Sequence, residues 1–138
     1  RKKAKQIATE HHNSTILIDG SPGIGCPVIA SLTGVKKVLI VTEPTLTAIS
    51  DLERVLKLCR HFNPEIFVVI NKSTINKQNV DTIKSICHKE NITFLAQIPL
   101  EPDFIKAQIE CKTITEYKPQ SFIAQEVQHI WNTLKTEA

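Results

Sequence analysis

The sequence predicts an α/β fold: a doubly wound, mainly parallel sheet of about four strands with flanking helices. Two observations predict it. Apolar runs rich in Ile, Val, Leu and Phe recur at residues 15–19, 37–42, 66–71 and 93–99. They are nearly continuous rather than alternating, which marks strands covered on both faces. Helical periodicity fills the intervals, and strand–helix alternation implies right-handed crossovers.

Each helical segment has its own warrant. Residues 27–32 make a short helix beginning at a proline. Residues 45–62 place Leu46, Ile49, Leu52, Val55, Leu56 and Cys59 near one face, and residues 79–90 do the same with Val80, Ile83, Ile86 and Cys87. Residues 102–111 carry Phe104, Ile105 and Ile109. Residues 121–134 put Phe122, Ile123, Val127, Ile130, Trp131 and Leu134 on one stripe. The opposite face is polar rather than basic, so this helix is expected to dock on the domain and not on a membrane surface.

Bulk properties narrow the function. The 138 residues suffice for one domain with a real core. A formal charge of +3 is too small to argue for a nucleic-acid partner. The basic start, Arg1-Lys2-Lys3-Ala4-Lys5, reads as a solvated segment. No apolar stretch reaches the roughly 18 residues of a membrane span, and the polar amino end does not read as a signal peptide. Four scattered cysteines without a C-x-x-C pair suggest reduced thiols and a cytoplasmic location. The chain has no methionine, so it is expected to be a processed product or, the favoured reading, a piece of a longer polypeptide.

The most informative local feature is the run Thr15-Ile16-Leu17-Ile18-Asp19, followed by Gly20-Ser21-Pro22-Gly23-Ile24-Gly25-Cys26-Pro27. A parallel strand that ends on a carboxylate can hold a metal ion beside a phosphate. Alternatively, Asp19 simply caps the following turn. The glycine-rich continuation favours function, because such a turn can swing when a γ-phosphate arrives or leaves. A phosphate-cradling G-x-x-x-x-G-K-S/T loop occurs nowhere in the sequence.

Cys26 stands at the start of a helix, where a thiolate is stabilised. It reads either as a small residue packing the helix start or as a metal ligand. Packing is favoured, because cluster ligation needs a second cysteine per subunit. Cys59 and Cys87 fall on apolar helix faces and read as core. His11-His12 is a poor metal pair, since adjacent side chains diverge. His61, His88 and His129 read as surface residues.

Further motifs follow: Val41-Thr42-Glu43-Pro44-Thr45, then Ala48, Asp51 and Arg54, then Ile70-Asn71-Lys72, then Gln97-Ile98-Pro99-Leu100. In that order and spacing they resemble the MinD/ParA/Mrp-like group of P-loop ATPases. The resemblance is greatest to MinD-superfamily members with an inserted ferredoxin domain. Cobyrinic acid a,c-diamide synthase-like domains share the fold. The likeness covers about residues 14–120.

The resemblance implies a partial P-loop NTPase fold that lacks its P-loop strand. Residues 1–13 would be a basic lead-in and residues 14–138 the carboxyl-terminal half of a nucleotide-binding domain. Asp19 would be the Walker B carboxylate, acting on Mg²⁺ through water. Gly20, Ser21, Pro22 and Gly23 would form switch II, and Thr42, Glu43 and Pro44 a loop near a dimer face. Asn71 would read adenine through its amide, with Lys72 in place of the commoner arginine. Pro99 and Leu100 would wall the base. ATP and Mg²⁺ are then the implied cofactors of the intact protein. A 4Fe–4S cluster, drawn mostly from segments outside this chain, would be a further one, with Cys26 its candidate ligand here. The deviant Walker A loop and switch I are absent, and the segment around Glu110-Cys111-Lys112 departs from the small residues expected there.

Two readings follow from different classes. The chain is the carboxyl-terminal part of an ATPase and inactive alone, or it is a non-catalytic interaction module using the same half-fold. Its expected partners are a nucleotide and a second copy or the missing amino-terminal half. A sheet cut on its amino-terminal side should also leave one raw edge and one uncovered apolar patch, through which dimerisation is expected.

Overall fold

The computed structural model describes residues 2–12 and 15–135. Arg1, and the boundary expected between residues 13 and 14, lie outside the described residues. Three strands, β1 (Lys37–Thr42), β2 (Glu65–Ile70) and β3 (Thr93–Gln97), form one sheet in the order β1-β2-β3. Both pairings are parallel, with Thr42 opposite Ile70 and Ile70 opposite Gln97. A register irregularity falls between Val68 and Val69.

Parallel neighbours require a crossover, and here a helix supplies each one. α3 (Leu46–Arg60) joins β1 to β2, and α4 (Lys77–Lys89) joins β2 to β3. Both start at residues suited to capping. Thr45 Oγ1 accepts from the Ala48 N–H at 3.2 Å, and Asn76 Oδ1 accepts from the Asn79 N–H at 3.0 Å.

The two-residue period of β2 sends alternate side chains to opposite faces. Val68 and Ile70 pack with Leu52, Leu56, Val80, Ile83 and Cys87 from α3 and α4. Val69 packs on the other face with Ala96, Ile114, Ile123 and Ile130. Those isoleucines come from α6 (Ile114–Tyr117) and α7 (Phe122–Lys135). α2 (Cys26–Leu32) seats Val28 and Leu32 against Cys59 of α3. Helices thus cover both faces of β2, and Cys59 and Cys87 are core as expected.

Two short elements complete the order. α5 (Asp103–Ile109) follows β3. The four-residue α6 is held by a reciprocal capping box between Thr113 and Glu116, which the apolar periodicity does not reveal. The basic start forms α1 (Lys2–Glu10), a helix that buries no residue.

One expected strand is absent. Residues 15–21 follow an irregular path, so the sheet has three strands rather than about four. Apolar, β-branched composition makes a strand only where a neighbour accepts its hydrogen bonds. No strand among the described residues flanks this segment, and Leu17 is 80% exposed. The related expectation of an uncovered patch is met on β1. Its outer edge is unpaired among the described residues, and Leu39 and Val41 are exposed, Val41 to 60%.

Asp103 ties α5 to the segment before α7. Its carboxylate meets Lys118 Nζ at 2.8 Å and Lys106 Nζ at 3.0 Å. Hydrogen bonds from Lys118, then from Lys106, hold its pKa below the ordinary carboxylate value. Its stabilising contribution is complete above that ordinary value of 3.8 and is lost as the pH falls below it toward the lower folded value. Asp103→Asn is therefore expected to lose less stability than the parent chain between about pH 6 and about pH 3, read from urea midpoints. In the core, Ile83→Ala should cost about 2–5 kcal/mol by urea denaturation at neutral pH, whereas Val41→Ala should cost well under 1 kcal/mol.

Candidate nucleotide site at the carboxyl edge of the sheet

In a parallel α/β sheet, ligands bind beyond the carboxyl ends of the strands. Here three loops meet at that edge. The Asn71 N–H donates to the Thr42 carbonyl at 2.8 Å, joining the loop after β2 to the end of β1. The Ile98 N–H donates to the Ile70 carbonyl at 2.7 Å, and the Ser73 N–H donates to the Ile98 carbonyl at 2.9 Å. The Leu100 N–H reaches Thr74 Oγ1 at 3.2 Å. These bonds continue the ladder past the strands, so Thr42, Asn71, Lys72 and Pro99 share one crest.

Side chains fasten the crest further. Pro44 is fully buried, and its carbonyl accepts from Asn79 Nδ2 at 3.0 Å. The β1 loop is thereby tied to the first turn of α4. Glu43 and Lys72 form an ion pair across the two loops. Asn71 Oδ1 accepts from the Lys72 N–H at 2.9 Å, and Lys72 has a left-handed backbone with φ +53°. Asn71 is partly buried, Pro99 is partly buried and Leu100 is exposed, so the site is an open shelf. A separate groove of about 330 Å³ lies between α6 and α7, lined by Thr115, Pro119, Gln128 and Asn132, and takes no residue from the crest.

The glycine turn is placed differently from the expectation. Asp19 is exposed and does not end a strand, and no hydrogen bond or ion pair joins it to the crest among the described residues. Gly23 has φ +88°, a conformation suited to glycine, while a Cβ at Gly20 would meet Ser31 Oγ at an ordinary 3.6 Å. Ser21 and Pro22 are exposed. Cys26 is exposed as the first residue of α2, which corrects the expectation that it packs the helix start. The thiol projects from a helix end whose buried contacts come from Val28 and Leu32 instead.

The residues fit the two implied cofactors unequally. Mg²⁺ keeps most of its waters and takes one or two carboxylates together with phosphate oxygens. Asp19 is accessible enough to serve as one such carboxylate. A 4Fe–4S cluster takes four thiolates. Two of the four cysteines are buried in α3 and α4, and among the described residues no group of three or more His, Cys, Asp or Glu side chains converges. This chain alone does not fit a cluster.

Glu43, Pro44 and Lys72 were singled out from sequence as separate loop residues, whereas Asn79 and the Glu43–Lys72 and Asn79–Pro44 contacts were not. Strand register is the signal that would have found the first of these contacts. Thr42 faces Ile70, so the two loops leave the sheet side by side and Glu43 comes within reach of Lys72.

Parallel strands, helices on both faces and a loop crest at the carboxyl edge define a doubly wound α/β chain. The family model for ParA, described as the NUBPL iron-transfer P-loop NTPase, matches residues 8–135, and the chain belongs to that family. The septum site-determining protein MinD of Thermotoga maritima is 33% identical over 102 residues, 70% of this chain and 38% of that protein. An uncharacterised protein of Methanocaldococcus jannaschii is 38% identical over 75 residues, 54% of this chain and 27% of that protein. Among solved structures, the MinD cell division protein of Aquifex aeolicus superposes with a TM-score of 0.80 at 21% identity, covering 99% of this chain and 59% of that one. The cell division ATPase MinD of Pyrococcus furiosus gives 0.71 at 21% identity, covering 96% and 58%. The chain therefore spans little more than half of these solved structures and less of the sequence relatives.

The buried Pro44 carbonyl sets up a test of the crest. Asn79→Ala removes its donor and is expected to cost about 0.5–1.5 kcal/mol by chemical denaturation. Faster hydrogen exchange should appear in the 43–45 loop, and a neutral result in both would show the anchor to be idle.

Proposed function

We propose that this chain is the base-reading, carboxyl-terminal part of a MinD/ParA-type ATPase, whose intact form binds and hydrolyses Mg-ATP. The observation that carries the reading is the crest itself: a partly buried Asn71, whose backbone N–H donates to the Thr42 carbonyl at the end of β1 and whose amide Oδ1 accepts from the Lys72 N–H, in a chain of the ParA family. An amide offers both a donor and an acceptor, which suits the paired groups on an adenine edge. Pro99 and Leu100 supply apolar surface beside it, while Lys72 belongs to the loop that holds it.

Asp19 is proposed to hold Mg²⁺ through water, and Gly20, Ser21, Pro22 and Gly23 to reset with the γ-phosphate. The exposure of the turn and the left-handed Gly23 support a segment free to move. When bound, the metal neutralises phosphate charge. The chain's own work is to orient the base and report on the phosphate. Most phosphate affinity would come from a Walker A loop that these residues do not contain. For the whole protein we propose a cytoplasmic ATPase that dimerises across the nucleotide, its amino-terminal half lying against β1. Iron–sulfur or electron-transfer coupling is proposed for that whole protein, supported by the iron-transfer description of the family and the exposed Cys26. No helix among the described residues is long and apolar enough to cross a membrane.

Titration with a fluorescent ATP analogue, with and without Mg²⁺, tests the reading. The complete natural polypeptide carrying these residues should bind in the micromolar range, and Asn71→Ala should weaken binding about tenfold. Asp19→Asn should remove the Mg²⁺ dependence. If neither substitution changes binding, the rival reading of a non-catalytic interaction module is favoured.

A further inference from the structure

The Lys72 backbone is the one unfavourable conformation on the crest. Its φ of +53° is a region that a long side chain occupies only where its surroundings hold it. Three contacts do so. The Lys72 N–H donates to Asn71 Oδ1, the Lys72 carbonyl accepts from the Ile75 N–H at 3.1 Å, and the ammonium pairs with Glu43. Glu43 is itself fixed, standing between Thr42, whose carbonyl accepts from Asn71, and the fully buried Pro44.

The direction of the Asn71 amide depends on this arrangement. With Oδ1 bonded to the Lys72 N–H, the oxygen end is anchored on the loop. The Nδ2 end has no acceptor among the described residues and is not buried unsatisfied. Amide oxygens carry two lone pairs, so the same Oδ1 can accept one more hydrogen while Nδ2 donates. An adenine edge matches that pair, with an exocyclic amino donor beside a ring-nitrogen acceptor. Guanine places a carbonyl oxygen where adenine has its amino group, and that oxygen would face Oδ1.

We propose that the Glu43–Lys72 ion pair positions the Asn71 amide and thereby sets adenine over guanine selectivity, an inference that rests on the base-reading role given above to Asn71. Both are positioning residues, acting on the base through Asn71. At 41% and 39% exposure the pair is solvent-screened, so its effect is modest in size.

Dissociation constants for fluorescent ATP and GTP analogues on the complete natural polypeptide give the selectivity ratio. Glu43→Gln should lower the ratio about two- to fivefold, almost wholly through weaker ATP binding. Lys72→Met removes the other charge and should give the same drop, which keeps the test open if Glu43→Gln does not fold. The double variant Glu43→Gln with Lys72→Gly should return to the parent ratio, because glycine adopts the left-handed conformation without help. A parent-like ratio in both single variants overturns the proposal, as does failure of the glycine variant to restore it. Asn71→Ala separates the two layers. If it lowers ATP affinity while the charge variants leave the ratio unchanged, base reading stands and the positioning role fails. If it leaves ATP affinity and ratio unchanged, both fail together.

Discussion

Burial of β2 on both faces is the constraint on which the rest of this structure depends. Val68 and Ile70 are sealed by α3 and α4, and Val69 by α6 and α7. A strand so enclosed must satisfy all its backbone polar groups within the sheet. Both neighbours must therefore be hydrogen-bonding strands, and here both are parallel and joined by crossovers. The ends of the three strands are thereby brought level, and the loops at the carboxyl edge inherit their positions from that alignment. Asn71 hydrogen-bonds to Thr42 for the same reason that Ile70 lies opposite it.

The candidate site is a continuation of the core rather than a cavity cut into it. Its first bonds are backbone bonds that extend the ladder, and its second are side-chain ties through Asn79, Glu43 and Lys72. Backbone bonds at a buried edge hold geometry firmly, whereas an exposed ion pair adjusts it. This division suits the base-reading role proposed above for Asn71. The glycine turn after Asp19 has neither kind of restraint among the described residues.

Much of this fold was legible in the sequence because strong physical signals coincide there. The continuous apolar runs at β1, β2 and β3 are set by burial on two faces. The stripes on α3, α4 and α7 reflect one-sided packing, and all of these elements fall within a few residues of expectation. The segment at residues 15–19 carries an equally strong run and still forms no strand, since pairing depends on a neighbour that its own composition cannot supply. α6 was missed for the opposite reason, because a single turn held by Thr113 and Glu116 has no periodicity to read. In the candidate site, Asn71 and Pro99 stood out through motif order, while Glu43 with Lys72 needed register. Cys26 was misread because a residue before a proline at a helix start looks packed in sequence, yet this helix buries only the face of Val28 and Leu32.

The strand order β1-β2-β3 repeats the chain order. Each strand pairs with its neighbour along the chain, and no connection has to pass over a strand still to be placed. Loop-closure entropy is then met in two similar instalments, each repaid at once by a helix packing on the new pair. Leu52 and Leu56 of α3 pack with Val68 and Ile70 of β2 and with Val80, Ile83 and Cys87 of α4, all of which precede β3 in the chain. A chain arranged in this way can condense progressively from one end of the sheet to the other, with the crest assembled last, when Ile98 reaches Ile70.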